Sequence, residues 1–227
     1  MALNVIMLGA PGAGKGTQAE RFARAHDLPK ISTGDILREG IKKQLPLALV
    51  AKRKMDRGEL VDDDTIVGIV RERLKDADTT TGFVLDGFPR TVVQGQALDQ
   101  LMGERGSDAL VIVDIVVPEA ELVRRLSTRR ICSKCGANAD PGDASATTCA
   151  VCGGSLVHRT DDNDRVVLER LRVYHESTKP VVDYYRTRPT FRAVNGAQAP
   201  DLVARELEAT ISDASRASLG LPLGAQR

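Results

Sequence analysis

The sequence predicts an α/β protein in which a mostly parallel sheet carries helices on both faces. Short apolar runs alternate with segments of helical periodicity along most of the chain. The best runs, LNVIML at Leu3–Leu8 and ALVIVDIV at 109–116, are almost entirely apolar, as strands covered on both sides are. A glycine-rich loop joins the first run directly to a helical segment, which is the strand–loop–helix order of a parallel unit.

The elements follow in order from these patterns. Leu3–Leu8 is the expected first strand, and Lys15–Ala25 is the expected first helix, with Ala19, Phe22 and Ala23 on its inward side. Later strands are expected at Lys30–Ser32, 83–85, 109–116 and 191–194. Later helices are expected across 33–76 (broken near Pro46 and 57–64) and at 91–102, 118–129, 163–186 (bent near Pro180) and 200–214. Ser32 and Asn163 are expected caps, and the tail after Ala214 is expected to fray.

Two stretches, 32–75 and 130–162, fit this sheet least well, so we expect them to be inserts. The core is then built from 1–31, 76–129 and 163–227. Gly9 and Asp86 both follow strands, and parallel strands bind ligands beyond their carboxyl ends. The two residues are therefore expected on one rim, where the inserts also join.

The composition of the 227-residue chain limits the classes of partner that we expect it to bind. Its net charge is +1 and only 3% of its residues are aromatic, so no nucleic-acid partner is expected. The N-terminal apolar run is too short for a signal peptide, and no segment has the length of a membrane span. We therefore expect a cytoplasmic protein with no membrane partner.

The loop at 9–17 reads GAPGAGKGT and stands between a predicted strand and a predicted helix, the context a phosphate-binding loop requires. Its glycines let backbone N–H groups cradle phosphate oxygens, and Lys15 can reach the transferred group. Gly16 occupies the place where the general pattern has Ser or Thr, and Thr17 comes one residue later. We expect magnesium to be held mainly by phosphates and water, with Asp86 oriented toward that shell. A P-loop NTPase-like sheet is the predicted fold.

Several arginines stand where a phosphate site would need them, because guanidinium forks match phosphate oxygens. Arg125 and Arg129 are four residues apart on one predicted helix, so they are expected to share a face. Spacing alone leaves two interpretations even: an anion site, or a solvated basic face that also includes Arg124 and Arg130. Four further arginines lie at predicted element ends or beside the second insert: Arg38, Arg90, Arg159 and Arg170.

All four cysteines lie in 131–154, as Cys132-x-x-Cys135 and Cys149-x-x-Cys152. Paired spacing of this kind predicts a closed tetrahedral Zn²⁺ site that is structural and not catalytic. The insert has almost no large apolar side chains, so metal binding can supply the free energy that its core lacks. Two disulfides or four free thiols remain as alternatives. His26, His158 and His175 are not needed as ligands.

Five motifs in this order resemble the adenylate kinase family over about 4–211, nearly the whole chain. They are GAPGAGKGT, ISTGDILR (31–38), RGELVDD (57–63), GFVLDGFPRTVVQ (82–94) and RTDDN (159–163). The resemblance is to the long form with an extended four-cysteine zinc lid. It implies reversible transfer from Mg-ATP to AMP, giving two ADP, by a monomer. It also implies that 32–75 binds the monophosphate and that 130–162 is the lid.

The resemblance also implies residue roles. ATP phosphates and base would be held by Gly12, Ala13, Gly14, Lys15, Gly16, Thr17, Arg125, Arg129 and Gln198 (the base by 196–198). AMP would be held by Thr33, Arg38, Glu59, Leu60, Val61, Gly87, Arg90, Gln94, Arg159 and Arg170. The transfer itself would depend on Lys15, Arg90, Arg125, Arg129, Arg159, Arg170 and Asp86. Gln94 would read adenine, since an amide offers one donor and one acceptor to that base.

Two other functions remain open. A kinase of another nucleoside monophosphate would share the loop and arginines but differ at the base, and Gln94 with GFPRT argues against it. A zinc-ribbon nucleic-acid binder fused to an NTPase would need a basic, aromatic ribbon. The segment between the two cysteine pairs has no Lys, Arg or aromatic residue, so that function fits poorly.

Overall fold

The protein is described here from a computed structural model, which places residues 2–106, 110–139, 143, 145–159 and 162–218. Within these residues, strands are β1 (Leu3–Leu8), β2 (Lys30–Ser32), β3 (Gly82–Asp86), β4 (Leu110–Val116), β5 (Arg130–Cys132), β6 (Leu156–His158) and β7 (Phe191–Asn195). The α-helices are α1 (Lys15–Ala25), α2 (Thr33–Lys42), α3 (Pro46–Met55), α4 (Asp63–Arg73), α5 (Val92–Glu104), α6 (Glu119–Ser127), α7 (Asp164–Val173), α8 (Lys179–Tyr185) and α9 (Pro200–Ser218). A 3₁₀ turn spans Ala77–Thr79 and a π-helical turn spans Tyr174–Thr178.

The main sheet is parallel, in the order β2-β3-β1-β4-β7, which confirms the predicted fold class. Alternation along β1 sends Val5 and Met7 into one core and Ile6 and Leu8 into the other. The first core is completed by α1 and α9, and the second by α5 and α8. Because both faces are covered, the central strands contain almost no polar residue.

Register places functional positions together at one edge of this sheet. Met7 lies opposite Asp86 on β3, and Leu8 lies opposite Asp114 on β4. Ser32 at the end of β2 also lies opposite Asp86. The predicted common rim for the residues after β1 and β3 is therefore confirmed.

Local caps begin two of the helices as the sequence predicts. The Ser32 hydroxyl accepts from the backbone N–H of Asp35 at the start of α2. The Asn163 side chain accepts from Val166 N–H at the start of α7. Each cap satisfies a backbone donor that has no partner inside its own helix.

The helix predicted at 118–129 is shorter than expected. It ends at Ser127, and Arg129 lies in the connection to β5, so the expected common helix face for Arg125 and Arg129 is wrong. The helix ends there because the chain turns into an antiparallel pair in which Arg130 lies opposite His158 and Cys132 opposite Leu156. Tertiary pairing overrides helical periodicity at this point.

The long helix is interrupted at Tyr174–Thr178, just before Pro180, which agrees with the predicted bend because Pro180 has no N–H to donate to the preceding turn. One other boundary differs from the prediction. The last helix does not fray after Ala214 but continues to Ser218, because Ala214 is fully buried against the first core. Residues 219–227 of the predicted tail lie outside the described residues.

The two predicted inserts are α2–α4 and the region around β5 and β6. The β5–β6 pair forms a separate two-stranded sheet, extended by isolated bridges between Ile131 and Asn138 and between Thr148 and Ser155. None of the helices in the described part combines the length and apolar character needed to cross a bilayer.

Candidate active site and metal centre

The phosphate-binding loop follows β1 and requires its glycines. Gly9, Gly12 and Gly14 have φ of 136°, 85° and 96°. A side chain at Gly9 would place its Cβ 2.6 Å from the carbonyl oxygen of Ile115, so no other residue fits there. Gly14 caps α1 without a side-chain acceptor, so the N-terminus of that helix is available to an anion.

Lys15 lies inside this loop. Its ammonium donates to the carbonyl oxygens of Gly9 at 2.7 Å and Ala10 at 2.8 Å. Burial lowers the pKa of Lys15 to about 7, although the negative charge of Asp86 acts against this shift. The positive charges of Arg90, Arg170 and Arg129 lower this pKa further. A bound phosphate would supply the negative charge that this lysine lacks.

We therefore expect ATP binding to be coupled to proton uptake at alkaline pH. At pH 8, about nine tenths of a lysine with a pKa near 7 is uncharged, and a bound triphosphate favours the charged form. Titration of a non-hydrolysable Mg-ATP analogue, in two buffers of different ionisation enthalpy, should show uptake approaching one proton per site. The uptake should disappear below pH 6, where Lys15 is already protonated, and also in Lys15→Met. Equal heats in both buffers at pH 8 would contradict the lowered pKa.

Gly16 stands where the general phosphate-loop pattern has Ser or Thr, and Asp86 at the end of β3 gives a reason for this difference. A Cβ added to Gly16 would lie 3.2 Å from the Asp86 carboxylate, so a serine or threonine in that place would crowd it. The absence of a side chain at Gly16 lets the loop approach Asp86 closely. A carboxylate and the Thr17 hydroxyl are oxygen donors of the kind Mg²⁺ prefers, so the residues present fit this ion.

Three arginines converge on one buried carboxylate. Arg129 binds both oxygens of Asp162, at 2.6 and 2.7 Å, and Arg170 donates to Oδ1 at 2.7 Å. Arg159 lies 4.0 Å from Oδ2, and the Asp162 side chain is only 2% exposed. Guanidinium groups gathered in this way match the oxygens of a phosphoryl group in shape and charge.

Asp162 is a site residue to which the sequence motifs alone do not assign a role. Its position in the RTDDN motif, three residues after Arg159, is the one sequence signal that points to it. Its partner Arg129 is 33 residues away and Arg170 is eight residues away on α7, so only the fold shows that one carboxylate pairs with both.

Arg125 faces a different part of the site. Its guanidinium donates to Glu121 at 2.8 Å and to the backbone oxygen of Gly196 at 2.9 Å. The structure therefore brings Arg125 to the loop after β7. Gln198 in that loop donates to the backbone oxygen of Asn195 and to the Glu206 carboxylate, so its amide is held beside that loop.

Two of the residues predicted for AMP, Thr33 and Arg90, meet at the backbone oxygen of a third, Gly87. The Thr33 hydroxyl donates to it at 3.1 Å and Arg90 Nε at 2.8 Å. Gly87 has φ of 75°, and a Cβ there would lie 2.8 Å from Arg90, so glycine makes room for the guanidinium. Arg38 packs over Gly34 in the same way and donates to Asp35.

The remaining predicted AMP residues differ in burial. Val61 is buried, and Leu60 is half-buried. The half-buried Glu59 is held by a two-point ion pair with Arg57, at 2.6 and 2.8 Å. Gln94 is buried against Arg90 and Asp63, with an exposed fraction of 1%.

The four cysteine sulfurs lie within 4.8 Å of one another. The Cys132–Cys152 and Cys135–Cys149 sulfur pairs are 3.4 and 3.7 Å apart, so neither pair is a disulfide. Four sulfurs about 2.3 Å from one tetrahedral Zn²⁺ would lie about 3.8 Å apart. The sulfur positions therefore fit a closed four-thiolate site.

The backbone around these sulfurs supports a metal centre. The N–H groups of Cys135 and Val151 donate to the sulfurs of Cys132 and Cys149, both at 3.4 Å. Donation from the Cys135 N–H lowers the pKa of the Cys132 thiol, and this shift favours the thiolate that binds metal. A Cβ at Gly154 would lie 2.8 Å from the Cys132 sulfur, so only glycine allows this approach.

The site combines a phosphate loop that holds a buried lysine, an arginine cluster beside that loop and a second arginine site on the same rim. This combination defines the class of P-loop nucleoside monophosphate kinases. Comparison with known proteins identifies the family within that class. A family model described as "Adenylate kinase" matches residues 7–190. The chain belongs to the adenylate kinase family.

Individual relatives agree with the family match. A protein named "Adenylate kinase" from Archaeoglobus fulgidus is 45% identical, over 92% of this chain and 98% of its own length. One of the same name from Syntrophobacter fumaroxidans is 44% identical, over 92% of this chain and all of its own. Another from Caldicellulosiruptor bescii is 46% identical, over 82% of this chain and 88% of its own. The recognised resemblance is therefore confirmed.

Proposed function

We propose that the protein transfers a phosphoryl group reversibly and directly from Mg-ATP to AMP, producing two ADP for adenine nucleotide homeostasis. The observation that carries this is the meeting of two phosphate sites on one rim. The loop with Lys15 lies on one side, and Arg90 with Thr33 lies on the other. The arginine cluster around Asp162 lies close enough to the loop that the charges of Arg129 and Arg170 act on Lys15.

The chemistry needs positioning and charge neutralisation more than covalent catalysis. In this proposal Lys15 and the loop N–H groups of Gly12, Ala13, Gly14, Gly16 and Thr17 hold the ATP phosphates. Arg38 and Arg90 hold the AMP phosphate in line with them. Arg125, Arg129, Arg159 and Arg170 surround the transferred group and stabilise its charge in the transition state. No side chain acts as a nucleophile.

Magnesium would be held by phosphate oxygens, water and Asp86, and when bound it supplies charge neutralisation. The chain's own contribution is orientation. Asp162 keeps Arg129 and Arg170 in one arrangement before substrate binds, and Gly87 does the same for Arg90. Prepositioned donors of this kind need no reorganisation during the reaction.

The two inserts have separate proposed roles. Residues 32–75, with Thr33, Glu59, Leu60 and Val61, form the AMP-binding part. Residues 130–162 form a lid that brings Arg159 to the site and excludes water. A structural Zn²⁺ bound by Cys132, Cys135, Cys149 and Cys152 keeps this lid folded. The residues 1–31, 76–129 and 163–227 form the core.

The cellular compartment and the oligomeric state are part of the same proposal. Four unbridged thiols within one insert are typical of a reducing compartment, so we propose a cytoplasmic location. The fold of a single chain brings both proposed phosphate sites to one rim, so we propose that a monomer is active. Its partners would be the nucleotides ATP, AMP and ADP, without nucleic acid or membrane. The ATP base is proposed to lie beside 196–198, where Arg125 meets Gly196.

The experiment that tests the function is a comparison of acceptors. Initial rates of transfer from Mg-ATP to AMP, GMP, CMP and UMP are measured at one concentration. We expect a preference for AMP of at least about 10²-fold, since a site that hydrogen-bonds a base edge rejects bases that leave its groups unpaired. A preference for another acceptor would retain the mechanism and overturn the substrate. Transfer to none of them would overturn the proposed reaction.

A further inference from the structure

We propose that Asp63 locks the amide of Gln94 in one orientation and thereby makes the site select adenine over 6-oxopurines. This proposal rests on the proposed function, in which Gln94 reads the AMP base. It assigns a specificity-determining role to a residue of the monophosphate-binding insert. The observation behind it is the hydrogen bonding of Gln94, whose side chain is 1% exposed.

Both ends of the Gln94 amide have a partner of only one kind. Its Oε1 accepts from the backbone N–H of Arg90 at 2.7 Å. Its Nε2 donates to the Asp63 carboxylate at 2.8 Å. A backbone N–H can only donate and a carboxylate can only accept, so these partners decide which end of the amide is oxygen and which is nitrogen.

Asp63 is itself oriented by Thr91. The Thr91 hydroxyl donates to the same carboxylate oxygen, Oδ1, at 3.0 Å. The backbone N–H of Gln94 donates to that hydroxyl at 3.1 Å, where Thr91 caps α5. The three residues therefore form a closed set of hydrogen bonds between α4 and α5. Rotation of the amide by 180° would set its NH₂ against Arg90 N–H and its oxygen against the carboxylate.

Each end of the locked amide has capacity for one more hydrogen bond. The Oε1 atom has a second lone pair, and Nε2 has a second N–H. Adenine presents the matching pair on its Watson–Crick edge, an N6 amino donor beside an N1 acceptor. Hypoxanthine and guanine present the reverse, an O6 acceptor beside an N1–H donor. A locked glutamine therefore accepts adenine, whereas a freely rotating glutamine could pair with either.

The test compares AMP with IMP, because these two nucleotides differ only at the edge that the amide would read. The value of kcat/KM is measured for each with Mg-ATP, and their ratio is the readout. In Asp63→Ala we expect the AMP-to-IMP ratio to fall by about tenfold or more. The fall should come mainly from a higher KM for AMP, with the KM for Mg-ATP unchanged. Asp63→Asn retains an oxygen acceptor and should keep the ratio within about threefold of wild type.

Asp64→Ala is the matched control. Asp64 is an exposed carboxylate in the same first turn of α4, so its removal has the same effect on charge and on the helix dipole. Its ratio should equal that of wild type. Thr91→Val keeps Asp63 but removes the hydroxyl that orients it, and it should lower the ratio by a smaller factor. If Asp63→Ala does not fold, Thr91→Val decides the question.

The possible outcomes distinguish failure of the proposed Asp63 role from failure of the proposed function. A wild-type enzyme without preference for AMP over IMP would overturn adenine recognition by Gln94, and with it the proposed role of Asp63 in orienting the Gln94 amide. A strong wild-type preference for AMP that is unchanged in Asp63→Ala and Thr91→Val would overturn only the proposed role of Asp63. Equal losses of kcat/KM for AMP and IMP would also overturn it, because they indicate that Asp63 only holds α4 against α5.

Discussion

Replacing Lys15 with methionine is expected to reduce phosphoryl transfer by about 10³-fold while the protein remains folded. The ammonium is the positive charge inside the loop, where it donates to the carbonyl oxygens of Gly9 and Ala10. Methionine has a similar length and no charge, so it removes the electrostatic contribution and keeps most of the volume. The measurement is kcat with saturating Mg-ATP and AMP.

Stability provides an independent check on the same variant. The pKa of Lys15 is lowered from 10.5 to about 7 by burial, so the folded state disfavours the charged form that the unfolded chain carries. This cost is present at pH 7 and decreases as pH rises toward 10.5, where the unfolded chain also loses the proton. Lys15→Met is therefore expected to melt at or above the wild-type temperature at pH 7.

Lys75→Met is the matched control for this prediction. Lys75 is an exposed lysine paired with Glu72 on the surface, so the same substitution there removes a charge far from the site chemistry. Its turnover and melting temperature should both match wild type. Near-normal turnover in Lys15→Met would contradict the assigned role, and a much lower melting temperature would contradict the unfavourable burial of the charge.

Removal of metal from the cysteine cluster is expected to lower the melting temperature by at least about 5 °C. Loss of roughly 2–4 kcal/mol would produce such a shift, at about 2–4 °C per kcal/mol in a protein of this size. Within the described residues of the 130–162 insert, three residues of β5 pair with three of β6 and two isolated bridges extend this pairing, so we expect the metal to contribute much of the stability of the insert. Zinc content should be about one per chain before treatment with a strong chelator and near zero afterwards.

Two substitutions refine this prediction. Cys132→Ser removes a buried ligand and should give the low melting temperature without a chelator. His158→Ala changes an exposed lid residue that the four-sulfur site does not need, so its zinc content and melting temperature should equal wild type. Turnover should fall with zinc loss, because Arg129 and Arg159 lie at the two ends of the insert. A metal-free protein with an unchanged melting curve would refute a structural metal.

The accuracy of the sequence interpretation depends on how far apart the interacting residues are. The strand–loop–helix at 3–25 is local, and its bounds agree with the structure. Arg129 shows the opposite case, since helical periodicity alone predicts a helix that the β5–β6 pairing ends two residues earlier. The sequence shows that Gly16 replaces the usual Ser or Thr of the phosphate loop. The reason for this glycine, its closeness to the Asp86 carboxylate, is visible only in the fold.

From the amino-acid order alone one can predict the α/β class, the phosphate loop, the caps at Ser32 and Asn163 and a four-cysteine metal site. These features depend on residues a few positions apart, and their physical causes act over the same short range. Only the packed fold shows which charged and polar groups meet. Arg129 reaches Asp162 across 33 residues, and Gln94 reaches Asp63 across 31. Such pairs are set by how helices and strands pack around the sheet, because packing brings together groups whose separation along the chain carries no periodic signal.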